Sequence, residues 1–256
     1  MEEKKLLGKG FTGNQLKIFA IIAMTIDHVT SVILPGYENY TWWIYLLHII
    51  GRLAAPLMWF MVVEGYRHTS NLKKYITRLF IFSVISHFAY NFCFGIPFIP
   101  FQTSVFNQTS VIWPLAWGVV ALYINDEEKC DLKPWQRVLI TIGICVITFP
   151  SDWSCIAVLC IIGINRFYGD IKKQTREILV YVGMYALIYA IFIDVPMGLI
   201  QMFVVISIPF MMNYNGKRGT WKGMKWFFYA YYVGHLVLCG ILRIVLHGNI
   251  GVIVGG

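Results

Sequence analysis

An aspartate and a histidine stand side by side, as Asp27 and His28, inside an apolar run that is long enough to cross a bilayer. Charged side chains at the centre of a bilayer cost about 2.5–3.5 kcal/mol each on insertion scales, so they usually face the interior of a helix bundle and have a function. A positioned histidine is the usual general base, and positive charge in a dry site stabilises an oxyanion. The pair therefore marks a candidate catalytic site, which other helices must complete.

Three further predicted spans carry ionisable groups at the depth of this pair. With a rise of about 1.5 Å per residue, Asp27 lies about 16 Å from the inner end of its helix and Arg52 about 15 Å from the outer end of the second. His87 and His235 lie about 18 Å and 14 Å from the inner ends of the third and last spans. We predict one polar layer near the midplane, although Asp27 with Arg52 could form a purely structural ion pair and each histidine could be a hydrogen-bonded bundle residue.

More polar residues extend this layer towards both surfaces. His48 is one turn outward from Arg52 on the same face, and Asn91 is one turn outward from His87, so both could line a path from the outer surface. The inner stretch EGYRHTSNLKKYITR places five basic residues at the mouth of the second and third helices, namely Arg67, His68, Lys73, Lys74 and Arg78. The alternative is that this cluster serves membrane topology alone, since basic residues on the inner face also contact lipid headgroups.

Composition settles the class of protein that must hold these residues. With 58% hydrophobic and 13% charged residues, the 256-residue chain has too little polar surface for a soluble globule. Spans of about 20 apolar residues are predicted near 16–35, 42–64, 75–98, 109–125, 137–150, 153–168, 178–194, 197–214 and 226–247. The fifth and sixth are short and could form a re-entrant hairpin around FPSDWS. We predict an all-α polytopic membrane bundle that forms a single domain, 1–256, with residues 1–15 as a cytoplasmic lead into an uncleaved first span.

The distribution of charge orients this bundle. Of the 21 Lys and Arg residues, all except Arg52 and Arg243 fall in segments that share the side of the N-terminus. The other loops hold none, so the positive-inside rule places the N-terminus in the cytoplasm. The net charge of +8 therefore reflects topology, and we expect no nucleic-acid partner. Arg243 and His247 are predicted to be interfacial anchors, and the six cysteines, which show no ligand spacing, are predicted to pack without metal.

Three segments of the sequence closely resemble the TraX family of conjugal-transfer proteins. They are LKIFAIIAMTIDH (16–28), IGRLAAPLMWFMVVEGYRHTSNLKKYITRL (50–79) and FSVISHFAYN (82–91). The resemblance is specific in its order: LK and then DH in the first helix, GR, P and EGY.HT after it, and Y..RL at the start of the third. A later stretch, SDWSCIAVLCIIGINRFY (151–168), is similar to a family segment in which an aspartate, here Asp152, precedes an apolar run.

This resemblance implies membrane acyl transfer from cytosolic acetyl-CoA to an acceptor at or near the outer face of the bacterial cytoplasmic membrane. The acceptor would be a peptide amine or a hydroxyl group, carried by an exported peptide, a pilin-like protein or a glycan. The basic inner mouth suits the phosphates of CoA. Under this hypothesis His28 is the base and Arg52 contacts an oxyanion or carboxylate. Asp27 cannot simply orient His28, because neighbouring helical side chains diverge by about 100°. Asp27 is therefore predicted to pair with Arg52 or to bind the acceptor amine. The predicted acceptor-binding residues are His48, His87, Asn91, Asp152 and His235.

Two other classes of function remain open at this stage. A secondary transporter would also place ionisable residues at the midplane, although the sequence shows neither an inverted repeat nor a pair of Gly/Pro-broken helices in matching halves. An intramembrane hydrolase would need a nucleophile beside its base. Ser31, one turn from His28, is the best candidate, but no GxSxG context surrounds it.

Overall fold

The computed structural model describes residues 10–34, 41–102 and 104–251, and these fold into a helical bundle. The helices are α1 Gly13–Val32, α2 Trp42–Gly51, α3 Ala54–His68, α4 Leu72–Phe94, α5 Ile112–Ile124, α6 Pro134–Thr148, α7 Ile156–Arg166, α8 Ile171–Phe192, α9 Val195–Gln201, α10 Ile208–Met212 and α11 Met224–His247. A 3-10 turn, Met202–Ser207, joins α9 to α10. Within the described ranges, extended pairing is limited to two isolated bridges, so the predicted all-α class is confirmed.

Short polar side chains fix where several of these helices begin. Thr12 accepts a hydrogen bond from the backbone of Gln15, whose side chain bonds back to Thr12 and completes a capping box. Asn71 caps α4 and Asp194 caps α9 in the same manner. At the other end of α4, Gly95 adopts a left-handed conformation, with φ of 69°, that closes the helix.

In the described ranges, six segments are long and apolar enough to cross a membrane, so the chain is a multi-pass membrane protein. They are α1, the kinked pair α2–α3 (Trp42–His68), α4, α8, the broken segment α9–α10 (Val195–Met212) and α11. The remaining apolar helices α5, α6 and α7 have 13, 15 and 11 residues, so they rise only about 17–22 Å. The hydrocarbon core is about 30 Å thick. The fifth and sixth predicted spans are short as expected, whereas the shortness of the fourth, α5, was not expected.

The ends of the short helices meet in two buried loops. Thr109, before α5, forms a bridge with Ser151, between α6 and α7. Ser110 and Ser151 are almost completely buried, with exposed fractions of 0% and 1%. Irregular backbone at membrane depth is tolerated only where protein covers it. These loops therefore lie inside the bundle, which explains why α5 is shorter than its apolar sequence predicts.

Contacts between loops agree with the predicted division of the chain into two faces. On the predicted inner face, Phe11 pairs with Tyr214, and Tyr66 donates a hydrogen bond to Asp126 at 2.6 Å. These loops lie on one face, as predicted, while the nine crossings and the assignment of this face to the cytoplasm stay predictions. Residues 1–9 of the predicted cytoplasmic lead lie outside the described residues, and α1 begins at residue 13, inside the predicted lead.

Arg243 has a structural role that differs from the predicted interfacial anchor. It is 2% exposed, and its guanidinium donates to the carbonyl oxygens of Cys93 at 2.9 Å and Phe92 at 3.1 Å, and also to Ile250. Carbonyl groups in the last turn of a helix lack intrahelical donors and attract positive charge. Arg243 therefore caps the end of α4 from α11. The six cysteines are free thiols, three of them fully buried.

Candidate active site

Asp27 of α1 is the centre of a hydrogen-bonded group at the kink between α2 and α3. Its Oδ1 accepts from Arg52 Nη2 at 2.7 Å and from Nδ1 of His48 at 2.9 Å. The predicted contact between Asp27 and Arg52 is therefore present. His48, predicted to line an outward path, instead turns to the carboxylate. The two histidines of this region play different parts, since His28, adjacent to Asp27, points to another helix.

Arg52 joins two interrupted membrane segments. It follows α2 immediately, where the helix breaks, and its Nη1 donates to Oε1 of Gln201 at 2.9 Å. Gln201 is the last residue of α9, next to the 3-10 turn. The third donor of Arg52, Nε, bonds to the carbonyl of His48 at 3.2 Å. The sequence analysis missed Gln201; the prolines at 196 and 209, on either side of its apolar run, are the signal that this span is discontinuous.

Asp152 approaches this group on a loop with an unusual backbone. The next two residues, Trp153 and Ser154, have positive φ of 61° and 49°, a conformation that is costly for residues other than glycine. The Trp153 ring lies edge-on to Trp59, with centroids 5.2 Å apart, and the Arg52 guanidinium lies 5.5 Å from the Trp153 ring centroid. Asp152 is close enough to interact electrostatically with Arg52, yet Arg52 gives its hydrogen bonds elsewhere.

His28 forms a buried pair with His235 of α11. Nδ1 of His28 lies 2.7 Å from Nε2 of His235, and the two rings are parallel to within 2°. Nδ1 of His235 lies 3.0 Å from the carbonyl oxygen of Tyr231, which can only accept a hydrogen bond. His235 therefore carries its proton on Nδ1 when it is neutral, and its Nε2 accepts from Nδ1–H of His28. The lone pair of a neutral His28 is then on Nε2, where it can accept a proton.

The structure does not bring His87 and Asn91 into this group. Nδ1 of His87 lies 3.0 Å from the Thr109 hydroxyl, and its Nε2 donates to the carbonyl of Phe98 at 2.8 Å. Asn91 donates to the carbonyl of Pro97 at 2.7 Å. Both side chains tie α4 to the loop that follows it. His87 turns to this loop because the loop folds back over the outer end of α4, while its predicted depth stays a prediction.

A basic cavity of about 550 Å³ lies at the inner end of the bundle. His68 and Arg78 line it, as predicted for a cofactor site. Lys73 and Lys74 are exposed and lie outside its lining, and Arg67 instead bonds to Asn165 at 2.7 Å. Sequence analysis missed the other cations of the wall, which come from three distant segments: Lys17, Arg218 and Lys225.

The balance of charge in the cavity favours an anionic ligand. Besides His68, its wall holds four basic side chains and one carboxylate, Glu64, which accepts from Tyr214 at 3.1 Å and lies 3.4 Å from His68. Nε of Arg78 is buried without a hydrogen-bond partner. The Arg78 guanidinium lies near the ring of Tyr75, which is also in the wall. Phosphate groups would supply the acceptors that these side chains lack. No cluster of three possible metal ligands occurs in the described part of the chain.

Comparisons with known proteins agree with the resemblance seen in the sequence. Residues 12–243 match the protein family described as TraX protein. The probable fimbrial assembly protein FimC, serogroup H1, of Dichelobacter nodosus is 29% identical over 235 residues, which cover 89% of this chain and 94% of the relative. No solved structure matches the chain.

Proposed function

Because this chain belongs to the TraX family, we propose that it is an acyltransferase of the bacterial cytoplasmic membrane. It would transfer the acetyl group of cytosolic acetyl-CoA to an amine or hydroxyl acceptor at or near the outer face. The chain is a multi-pass membrane protein related to a fimbrial assembly protein.

One relationship within α1 carries the proposal. Lys17 lines the basic cavity and His28 belongs to the buried histidine pair, and the two are 11 residues apart. Eleven residues are just over three helical turns, so both side chains lie on one face of α1, separated by about 16 Å along its axis. A donor with an anionic head and a thin reactive arm fits this spacing. CoA has that form, with phosphates at one end and the thioester at the end of its pantetheine arm.

The histidine pair can perform the proton transfers that acyl transfer requires. The acceptor nitrogen or oxygen attacks the thioester carbonyl, and its proton passes to Nε2 of His28. The C–S bond then breaks, and CoA leaves as the thiol with that proton. His235, which accepts the hydrogen bond from Nδ1 of His28, orients the ring and stabilises the imidazolium, a positioning role analogous to the third member of a catalytic triad.

The carboxylates of the layer support an amine as the first acceptor to test. Asp27 is paired with Arg52 and His48, whereas Asp152 has no ion-pair partner among the described residues. An acceptor ammonium beside Asp152 would supply one before it loses its proton. The relative is named for fimbrial assembly, so the N-terminus of an exported fimbrial subunit is the peptide acceptor we propose to try first, with a glycan hydroxyl as the alternative.

A secondary transporter is the second candidate, and one structural observation favours it. The two interrupted segments, α2–α3 and α9–α10, meet through the hydrogen bond between Arg52 and Gln201. Discontinuous helices that contribute polar groups at their breaks are typical of transporter binding sites. The sequence analysis expected no such pair. This candidate does not account for the basic cavity.

Reconstitution in vesicles separates these two candidates. Labelled acetyl-CoA is supplied on the side of the basic cavity, and a peptide with a free N-terminus on the other. The acyltransferase proposal requires label covalently attached to the peptide. Labelled acetyl-CoA that crosses the vesicle membrane intact, or the absence of reaction with any amine or hydroxyl acceptor, would overturn the acyltransferase proposal.

A further inference from the structure

Among the described residues, several buried polar side chains lack a hydrogen-bond partner, and four of them lie near Asp152 or the histidine pair. They are Trp59 (Nε1), Tyr90 (Oη), Ser110 (Oγ) and Tyr232 (Oη), with exposed fractions of 2% or less. A buried donor that is left unsatisfied destabilises a protein, so such groups are uncommon. Their retention needs a reason other than stability.

These side chains lie near the loop of Asp152. The hydroxyls of Tyr90 and Tyr232 are close enough to interact electrostatically with each other and with the Asp152 carboxylate. The Ser110 hydroxyl lies beside that of Tyr232, outside ordinary hydrogen-bond geometry. Trp59 packs edge-on against Trp153, the next residue after Asp152. We call these four side chains the donor cluster.

Two members of the donor cluster lie beside the histidine pair. Phe94 contacts both the His28 ring, at 5.7 Å between centroids, and the Tyr90 ring, at 4.7 Å. Tyr232 lies edge-on to His235 at 5.6 Å. On α11, Tyr232 is one turn outward from Phe228, which lines the cavity. A reactive arm that reaches His28 from the cavity would therefore come close to Tyr90 and Tyr232.

Arg52 uses three of its five N–H donors within the bundle. Its Nε, Nη1 and Nη2 donate to the His48 carbonyl, Gln201 and Asp27, and each Nη keeps one further N–H. The positive charge of Arg52 is paired with Asp27. The indole N–H of Trp59 is a donor without acceptor capacity, and the tyrosine hydroxyls can donate. The donor cluster thus offers hydrogen bonds in addition to those that Arg52 still has.

We propose that Trp59, Tyr90 and Tyr232 bind the carbonyl oxygen of the thioester and stabilise the oxyanion that forms on it. This inference rests on the proposed acyl transfer. As the acceptor attacks, the carbonyl π electrons move to the oxygen and the new C–N or C–O bond forms. They return when the C–S bond breaks. Hydrogen bonds from donors in a dry site become stronger as negative charge develops on the oxygen, so these donors raise mainly kcat.

The test combines turnover with thermal stability in Tyr90→Phe and Tyr232→Phe. Each change removes only an unpartnered hydroxyl, so the melting temperature should stay the same or rise. Loss of one oxyanion donor should lower kcat on the order of 10²-fold, with little change in KM for acetyl-CoA. The matched control is Tyr66→Phe, which removes a hydroxyl that donates to Asp126 at 2.6 Å. It should lower the melting temperature and leave kcat unchanged.

A binding measurement keeps the proposal testable if turnover is slow. Acetyl-CoA has the carbonyl that free CoA lacks, so Tyr90→Phe should reduce the stabilisation by acetyl-CoA more than that by CoA. A tyrosine variant with wild-type kcat, or one whose stability and kcat fall together, would overturn the donor cluster while leaving acyl transfer intact. A wild-type protein that neither binds nor uses acetyl-CoA would instead overturn the proposed function itself.

Discussion

The carboxylate of Asp27 packs directly on the backbone of Gly51. A β-carbon at residue 51 would lie 2.5 Å from Oδ1 and 2.6 Å from Cβ of Asp27. The absence of a side chain therefore lets α1 approach α2 closely enough for Asp27 to reach Arg52 and His48. This contact explains why a glycine precedes the arginine in the motif IGRLAAP.

Gly51→Ala should consequently damage the site. The added methyl group must displace Asp27, and overpacking of this kind costs about 1–3 kcal/mol. We expect a lower melting temperature and a marked loss of turnover. Gly183→Ala in α8 is the control, because its β-carbon would meet no atom within 4 Å. A Gly51→Ala protein that behaves like Gly183→Ala would show that the close approach is unimportant.

Replacing both members of the Asp27–Arg52 pair should restore stability but not turnover. Asp27→Asn leaves the buried Arg52 without its counter-charge, which should destabilise the protein by about 3–5 kcal/mol. Adding Arg52→Gln removes the uncompensated cation and should restore much of the stability. Turnover should stay low in the double variant because the layer has lost its geometry. Thermal denaturation in detergent and an acetyl-transfer assay measure the two effects, and restored turnover would make the pair purely structural.

The cations of the basic cavity should control the affinity for the donor. Hydrogen bonds to charged groups contribute about 1.5–3 kcal/mol, so Arg218→Gln and Lys225→Gln should each raise KM for acetyl-CoA about tenfold. High salt should mimic part of the effect. Lys172→Gln with Lys173→Gln removes two cations of the same face that are outside the cavity lining, and should leave KM unchanged.

The same assay compares the cations that line the cavity with the lysines that the sequence predicts. The sequence pointed to Lys73 and Lys74, which are exposed and outside the cavity lining. Their joint replacement by glutamine should change KM less than Arg218→Gln alone. A larger effect of the Lys73 and Lys74 variant would place the phosphate site at the start of α4.

The orientation of the bundle can be measured by labelling of introduced cysteines. Gln102 and Asn71 are exposed and lie on opposite predicted faces. A membrane-impermeant thiol reagent added to intact cells should label Gln102→Cys above the wild-type background and should not label Asn71→Cys. Labelling of Asn71→Cys in intact cells would invert the assignment, and with it the side on which acetyl-CoA must be supplied.

The contact between Asp27 and Arg52 could be predicted because depth along a regular helix follows from counting residues. The same count places His28 and His235 in one layer, but their direct pairing depends on how α1 packs against α11. Counting also fails where a helix is interrupted. Gln201 was missed because the break after α9 decides which way its side chain points. The partners of His87 were missed because the loop after α4 folds back towards it.

The basic cavity shows a second limit of the sequence. Lys73 and Lys74 are adjacent in the chain and were grouped for that reason. The cavity instead collects Lys17, Arg218 and Lys225 from segments that only the packing of α1, α4 and α11 brings together. The donor cluster had no sequence signal at all, since tyrosines and tryptophans are common throughout this membrane protein.

We propose that His28 takes the proton of the acceptor, and the variant His28→Gln separates this role from a structural one. Glutamine keeps polarity and a donor for His235 but has no basic nitrogen. If His28 is the base, kcat should fall about 10²–10⁴-fold, nearly as far as in His28→Ala, while the protein still inserts and binds acetyl-CoA. The measurement is the rate of acetyl transfer by inserted His28→Gln protein at saturating acetyl-CoA. Turnover close to that of the wild type would exclude His28 as the general base.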